Sequence, residues 1–363
     1  MTSTPLRTLD LFAGAGGITE GFRQASPRFR CVRAVEWDTD AARTFDANHG
    51  NGHTVTFAGD IETWHEHEKV PSADVVVGGP PCQGFSQLGR QAADDERNRL
   101  WRHYAEAVRD SGATYFVMEN VPQFMKSLEA PLFMKEFEPG GILHDYRHDQ
   151  KILNSNHYGA AQNRKRFIAI GWKKGATPPA WPTPIPEIQR PTLREVLAGV
   201  PVSVTTTHLR PERPVRTHEL HFTRNYRDIS LRRFHDIPPG GNRFNIREEN
   251  LAPCWRKHKT GSADVMGRLW WDRPSVTIRT EFFKPEKGRY IHPTEHRAIT
   301  HFEAALIQGF PVDYRWFGSK TSIGKQIGNA VPIPLAKAIA ESILNAFDGI
   351  GRFEETPTLP GLE

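Results

Sequence analysis

The chain has 363 residues, with 47 Lys+Arg against 42 Asp+Glu, a formal charge of +5, and hydrophobic residues at 38%. That supplies ample material for a core and excludes wholesale disorder. No apolar run approaches the roughly 18 residues of a membrane span, and the opening residues lack the apolar stretch of a signal peptide. The expectation is therefore a soluble, cytoplasmic protein with no membrane partner.

Short apolar runs at residues 6–12, 31–36, 55–59, 74–79 and 114–120 are rich in β-branched or aromatic side chains and read as strands. Residues 19–24, 38–48 and 100–110 between them read as helices, with Asp38 as an N-cap. Such alternation predicts a mostly parallel, doubly wound α/β sheet covered on both faces. Residues 151–155 and 166–172 predict two further strands, read as an edge hairpin. From residue 173 the texture changes. Six prolines between 178 and 191 mark a linker or crossover, and the segment to residue 291 predicts a second, smaller, irregular domain with a few short strands. Helical pattern returns at 295–308 and 333–347, and residues 351–363 read as a loose tail.

Charge divides unevenly along this order. Residues 1–172 carry a net −3, residues 173–291 hold 22 basic and 12 acidic side chains for a net +10, and residues 292–363 a net −2. A basic module between acidic flanks is either a surface for a polyanion, nucleic acid first, or a solvated arginine-rich face.

The first strand runs into Asp10-Leu-Phe-Ala-Gly-Ala-Gly-Gly17. Glycines at 14, 16 and 17 let the backbone turn sharply and approach a ligand, although the dinucleotide fingerprint wants glycine or alanine where Thr19 stands. Glu36 ends the second strand, where a carboxylate can accept from ribose hydroxyls. Trp37 could cover a purine, and Asp60, read as the end of the third strand, could accept from an exocyclic amine. Three strand ends on the ligand-binding edge of an open sheet favour a nucleoside site.

The fourth strand leads into Gly78-Gly-Pro-Pro-Cys-Gln-Gly-Phe-Ser86. Two prolines stiffen the backbone before Cys82 and Gly84 frees it after, a setting for a nucleophile rather than a core cysteine. Cys31 and Cys254 lack that setting and read as structural; three widely spaced cysteines suggest no disulfide framework. Glu119 ends the fifth strand, where it could face the thiol and handle a proton. Arg164 and Arg166, two apart in an extended segment, could grip phosphate or a carbonyl oxygen, or form a solvated strand edge. His218 and His221 lack further ligands and read as surface histidines, so no metal site is expected.

These residues, with Gln162-x-Arg-x-Arg166, Arg297-x-x-Thr-x-x-Glu303, Gln308-Gly-Phe-Pro311 and Gly328-Asn-Ala-Val-Pro332, resemble the ordered motifs of the bacterial DNA (cytosine-5) methyltransferases. The resemblance covers about 1–172 and 265–347. It departs at Ala161, where members often have proline, which removes no chemical group. It implies an AdoMet-dependent methyltransferase fold, with 1–172 and 292–350 forming the catalytic domain and 173–291 the target-recognition domain. Cys82 would add to carbon 6 of a flipped-out cytosine, Glu119 would hold and protonate ring nitrogen 3, and Arg166 would contact the ring carbonyl oxygen. Arg164 would hold the catalytic loop or a phosphate, and residues 83–99 would close over the base. Carbon 5 would then take the methyl of S-adenosylmethionine. Phe12, Trp37, Glu36, Asp60, Leu100 and Asn329 would contact that cofactor, with Asp10, Ala13, Gly14, Gly16, Gly17, Ile61, Pro80 and Val331 completing its site. The implied partner is double-stranded DNA with a specific short sequence, bound by a monomer. The implied setting is a restriction-modification system whose cognate endonuclease acts separately. The alternative is the same chemistry on tRNA cytosine, which tends to go with a Cys-Phe-Thr triplet; Cys254 is followed by Trp255.

Overall fold

The computed structural model describes residues 4–81, 100–209, 214–257 and 260–351. Strands β1 (Leu6–Leu11), β2 (Phe29–Glu36), β3 (Thr56–Ala58), β4 (Val75–Gly78) and β5 (Tyr115–Asn120) lie parallel. Strands β6 (Tyr146–Asn154) and β7 (Lys165–Lys173) close one edge as the expected hairpin, longer than its apolar signal at both ends. The order is β3-β2-β1-β4-β5-β7-β6, with β7 antiparallel to β5. Side chains alternate sides along a strand. Val76 accordingly joins one core with Leu9, Leu11, Tyr104 and Phe116, whereas Val75 and Val77 join another with Phe22, Ile168, Leu335 and Ile339. Burial on both faces is what makes β4 a continuous apolar run.

Helices α1 (Gly17–Ala25), α2 (Thr39–His49) and α4 (Leu100–Ser111) fall where the sequence predicts them. Asp38 caps α2, its Oδ1 accepting from the N–H groups of Asp40 and Ala41, each at 3.0 Å. Helices α3 (Ile61–His67) and α5 (Glu129–Lys135) were not anticipated, because two turns are too short to display an apolar repeat.

The middle segment corrects one expectation. Among its described residues lie short helices α6 (Leu193–Val196), α7 (Asp228–Asp236) and α8 (Pro253–Lys257), several 3-10 turns and a single two-residue strand, β8 (Val215–Arg216), rather than a few strands. Proline-rich chain cannot donate to a ladder, and here arginine side chains tie the loops together instead. Buried Arg268 donates to the carbonyls of Ile237 and His292 at 2.7 Å and of Phe234 at 2.6 Å. Buried Arg289 donates to those of Gly240 and Gly241, each at 2.9 Å. The apolar core of this segment is shared with the return of the chain: Leu193, Leu220, Leu269 and Ile278 pack with Phe302, Ile307, Phe310, Ile323 and Ile327.

The return comprises α9 (His301–Gln308), β9 (Arg315–Trp316), α10 (Lys320–Asn329) and α11 (Ile333–Phe347), with β9 pairing with β8. Helix α11 matches its prediction, α10 was not anticipated, and α9 starts six residues later than the pattern at 295–308 suggested. Thr300 sets that start: its hydroxyl accepts from the Glu303 N–H, and Glu303 accepts the Thr300 N–H in return. The Glu303 carboxylate, 1% exposed, also takes two bonds from Arg297 at 2.7 and 2.8 Å. Burial pushes the Glu303 pKa up, but the hydrogen bonds and charge of Arg297 outweigh it and hold the value below the ordinary 4.5. This contribution to stability is complete above pH 4.5 and is lost as pH falls through the lower folded value. Arg297→Met should cost about 3–5 kcal/mol in urea unfolding at neutral pH, because it strands a buried carboxylate, and the cost should shrink in acid. Among the described residues, no single helix is long and apolar enough to cross a membrane.

Candidate active site

The carboxyl ends of β1 and β2 meet at the glycine turn. Phe12 and Gly14 take left-handed conformations (φ 57° and 55°), and Gly16 (φ 88°) is the residue before α1. A Cβ on Gly16 would lie 2.7 Å from the His49 ring, so α2 packs directly against the turn, whereas a Cβ on Gly14 would meet open space. Glu36 fixes the turn from β2: its Oε2 accepts the Gly14 N–H and its Oε1 the Asp38 N–H, both at 2.8 Å. Burial raises the Glu36 pKa. Trp37 beside it is 75% exposed, an uncovered indole at the rim.

Asp10 differs from its expected role. It is fully buried beneath the turn and accepts the Thr19 hydroxyl at 2.6 Å through Oδ2, while Oδ1 has no partner. Burial pushes its pKa up to about 7. It supports the turn and presents nothing to a ligand; Thr19, off the dinucleotide pattern, is there to bond it. Asp60 also departs from its reading. Strand β3 ends at Ala58, and Asp60 is the exposed N-cap of α3, accepting the Thr63 N–H at 2.7 Å and the Thr63 hydroxyl at 2.8 Å. Those bonds lower its pKa and leave a charged acceptor at the rim. Ala13, Gly17, Ile61, Pro80 and Val331 are buried; Phe12, Leu100 and Asn329 are at least partly exposed.

One strand over, β4 runs out into Gly79 and Pro80. The Asn120 amide donates to the Pro80 carbonyl at 2.9 Å, which ties the end of β5 to the Pro-Pro turn. A Cβ on Gly79 would lie 2.8 Å from Glu119 Oε2, so the carboxylate sits directly over that glycine. Glu119 Oε1 pairs with Arg166 Nε at 2.6 Å, with 14% and 13% of the two side chains exposed. The β5–β7 register, Asn120 opposite Phe167, brings these residues together from 47 positions apart. Cys82 and the loop 83–99 lie outside the described residues.

Arg164 is not a second surface guanidinium. It is buried, donates to the Ile278 carbonyl at 2.7 Å and the Gly328 carbonyl at 2.9 Å, and burial lowers its pKa to about 9. It clamps the turn bearing Asn329 against the middle segment. Cys31 is half-buried, its thiol pushed up by burial, whereas Cys254 is exposed in α8. His218 and His221 are both engaged internally, His218 with the Val312 carbonyl at 3.0 Å and His221 with the Pro201 carbonyl at 2.7 Å.

A family model described as C-5 cytosine-specific DNA methylase matches residues 6–345. The chain belongs to that family. As a methylase it is 28% identical over 352 residues to the Type II methylase M.HgiDII of Herpetosiphon aurantiacus, covering 94% of this chain and 96% of the relative. It is 32% identical over 352 residues to the Type II methyltransferase M1.HphI of Haemophilus parahaemolyticus, covering 93% and 87%. Among solved structures, a DNA modification methyltransferase encoded within an E. coli prophage superposes with a TM-score of 0.72 at 23% identity, covering 94% of this chain and 99% of that one. The S. pombe Dnmt2 methyltransferase follows at 0.60 and 17%, covering 96% and 100%. At these identities the structural likeness shows the fold.

The methylase holds its glycine turn with two residues the sequence did not single out. Tyr314 donates to the Ala15 carbonyl at 2.5 Å and meets His49 Nε2 at 2.9 Å. Tyr314 lies 299 positions from Ala15, and no local pattern marks so distant a contact. Gln162 is similar. Its amide bonds the Gln308 side chain at 2.5 Å, and Gln308 in turn bonds the Ile327 carbonyl at 2.6 Å, so two motif glutamines form one buried clasp behind Asn329.

Proposed function

We propose that this enzyme methylates carbon 5 of one cytosine within a short duplex DNA sequence, with Cys82 as nucleophile, in a restriction-modification setting. The observation that carries this reading is the Glu119–Arg166 pair set over Gly79, at the root of the loop that bears Cys82. The fit of S-adenosylmethionine rests on the open space over Gly14, the exposed Trp37 and the two carboxylates, Glu36 and Asp60, at the rim. When bound, the cofactor supplies an electrophilic methyl on a cationic sulfur. Phe12, Glu36, Trp37, Asp60, Leu100 and Asn329 would hold it, and Asp10, Gly16 and Gly17 would shape the turn beneath.

The rest of the chemistry belongs to the protein. Ring carbon 5 of cytosine is a weak nucleophile until a thiolate adds to carbon 6 and makes it enamine-like. Glu119 holds ring nitrogen 3 and protonates it as the Cys82 thiolate attacks. Arg166 keeps the Glu119 carboxylate in place and offers its guanidinium to the ring carbonyl oxygen. Loss of the carbon-5 proton to a water molecule then expels Cys82 as thiolate, and ring nitrogen 3 returns its proton to Glu119. A stacked cytosine cannot reach the thiol, so the base must leave the helix at a cost of a few kcal/mol. Residues 173–291 supply phosphate contacts and groove readout, while 1–172 and 292–350 form the catalytic unit.

Duplex DNA and tRNA incubated separately with methyl-labelled cofactor, followed by mapping of converted cytosines, test the substrate; label in tRNA alone would overturn it. Glu119→Gln removes the proton donor while preserving shape. It should lower single-turnover methyl transfer by about 10²–10⁴-fold with little change in cofactor affinity.

A further inference from the structure

Helices α3 and α4 bring together His65, His103 and Glu106. One ligand atom from each lies within 4.8 Å of the others. Two features set this trio apart from an ordinary surface cluster. His103 Nδ1 is buried and makes no hydrogen bond, although Glu106 Oε2 is only 3.2 Å away. A ring nitrogen and a carboxylate oxygen at that separation, out of hydrogen-bond geometry, match two ligands of one ion. With metal–ligand bonds of 2.0–2.1 Å, tetrahedral ligand atoms stand about 3.3 Å apart. The other face of the same ring supplies the second feature. His103 Nε2 is 3.4 Å from Glu62 Oε1, and a carboxylate there fixes the tautomer that leaves Nδ1 free to bind, as outer carboxylates do for metal-bound histidines. The remaining oxygen of Glu106 is occupied by Arg102 at 3.5 Å, and His65 Nε2 lies 3.2 Å from the His103 carbonyl oxygen.

We propose that His65, His103 and Glu106 form a binding site for a divalent transition-metal ion of the zinc class. Glu62 orients His103, and a water completes four-coordination. Two imidazoles and one carboxylate suit zinc, cobalt or nickel rather than magnesium or calcium, which prefer all-oxygen shells. Bound metal would staple α3, which Asp60 caps, to α4, which begins at Leu100. The site goes beyond the methylation reading and does not depend on it.

Equilibrium dialysis of the tag-free full-length chain against Zn²⁺, with metal analysis, should find one tight equivalent. Saturating Zn²⁺ should raise Tm by a few degrees. His103→Ala and His65→Ala should each abolish the tight equivalent, and Glu62→Gln should weaken it by about 10–100-fold. Should an alanine variant fold poorly, Co²⁺ loading of the unaltered chain provides an independent reading, and intense visible bands of tetrahedral cobalt are expected. Absence of a tight equivalent, its persistence in both histidine variants, or a weak octahedral cobalt spectrum would overturn the proposal.

Discussion

Replacing Cys82 by alanine should lower methyl transfer by at least about 10³-fold, since removing a covalent nucleophile removes the step that activates the substrate rather than one contact among many. Neither other cysteine can substitute. The Cys31 thiol is tied to the Arg33 carbonyl oxygen at 3.4 Å and kept protonated by burial, and Cys254 sits in α8 of the middle segment. The residues flanking the site should survive the change, because the Pro80 carbonyl is held by Asn120 and the Glu119 carboxylate by Arg166. Cofactor and DNA binding should therefore stay near wild-type while single-turnover labelling of duplex DNA disappears. A Cys82→Ala enzyme that kept full turnover would sink the covalent mechanism, whatever its substrate.

Duplex binding should weaken roughly 10³–10⁵-fold between about 50 and 200 mM salt if the middle segment neutralises some six to ten phosphates. The structure refines which of its 22 basic side chains can take part. Arg243, Arg268 and Arg289 are buried and spend their donors on backbone carbonyls, so they are framework. Arg224, Arg227, Arg232, Arg256 and Lys257 are exposed. Alanine at an exposed arginine that touches phosphate should reduce the log–log salt slope by about 0.9. Arg268→Met should instead lower folding stability and leave the slope of the folded fraction unchanged. Fluorescence anisotropy with a labelled duplex across the salt range reads the slope directly. A flat response would remove the phosphate-binding role from residues 173–291.

The parallel sheet was legible because buried strands write themselves as continuous apolar runs, and Val75–Gly78 is the clearest case. The hairpin of β6 and β7 was only half legible, since Tyr146–Asn154 carries alternating polar residues beyond its apolar end. Helices α3 and α5 were missed for want of length. The irregularity of the middle segment was foreseen, but not the means of its order, because nothing local distinguishes a buried arginine from an exposed one. For the same reason Arg164 and Arg166 looked like a pair. Two positions apart in sequence, they do opposite work: one clamps backbone in the interior and the other holds a carboxylate at the proposed active site.

By itself the sequence determined the glycine turn, the fold class and the family, because each is written in short-range patterns of residue type and spacing. Tertiary structure alone decided which polar groups face a ligand and which are consumed inside. Asp10 was withdrawn from the surface by burial, Asp60 was recruited as a helix cap, and three arginines were withdrawn from the +10 of the middle segment. The physical reason is common to all of them. A buried charge must find partners or stay neutral, and those partners, such as the Gly328 carbonyl for Arg164, come from chain segments too distant for any local pattern to record.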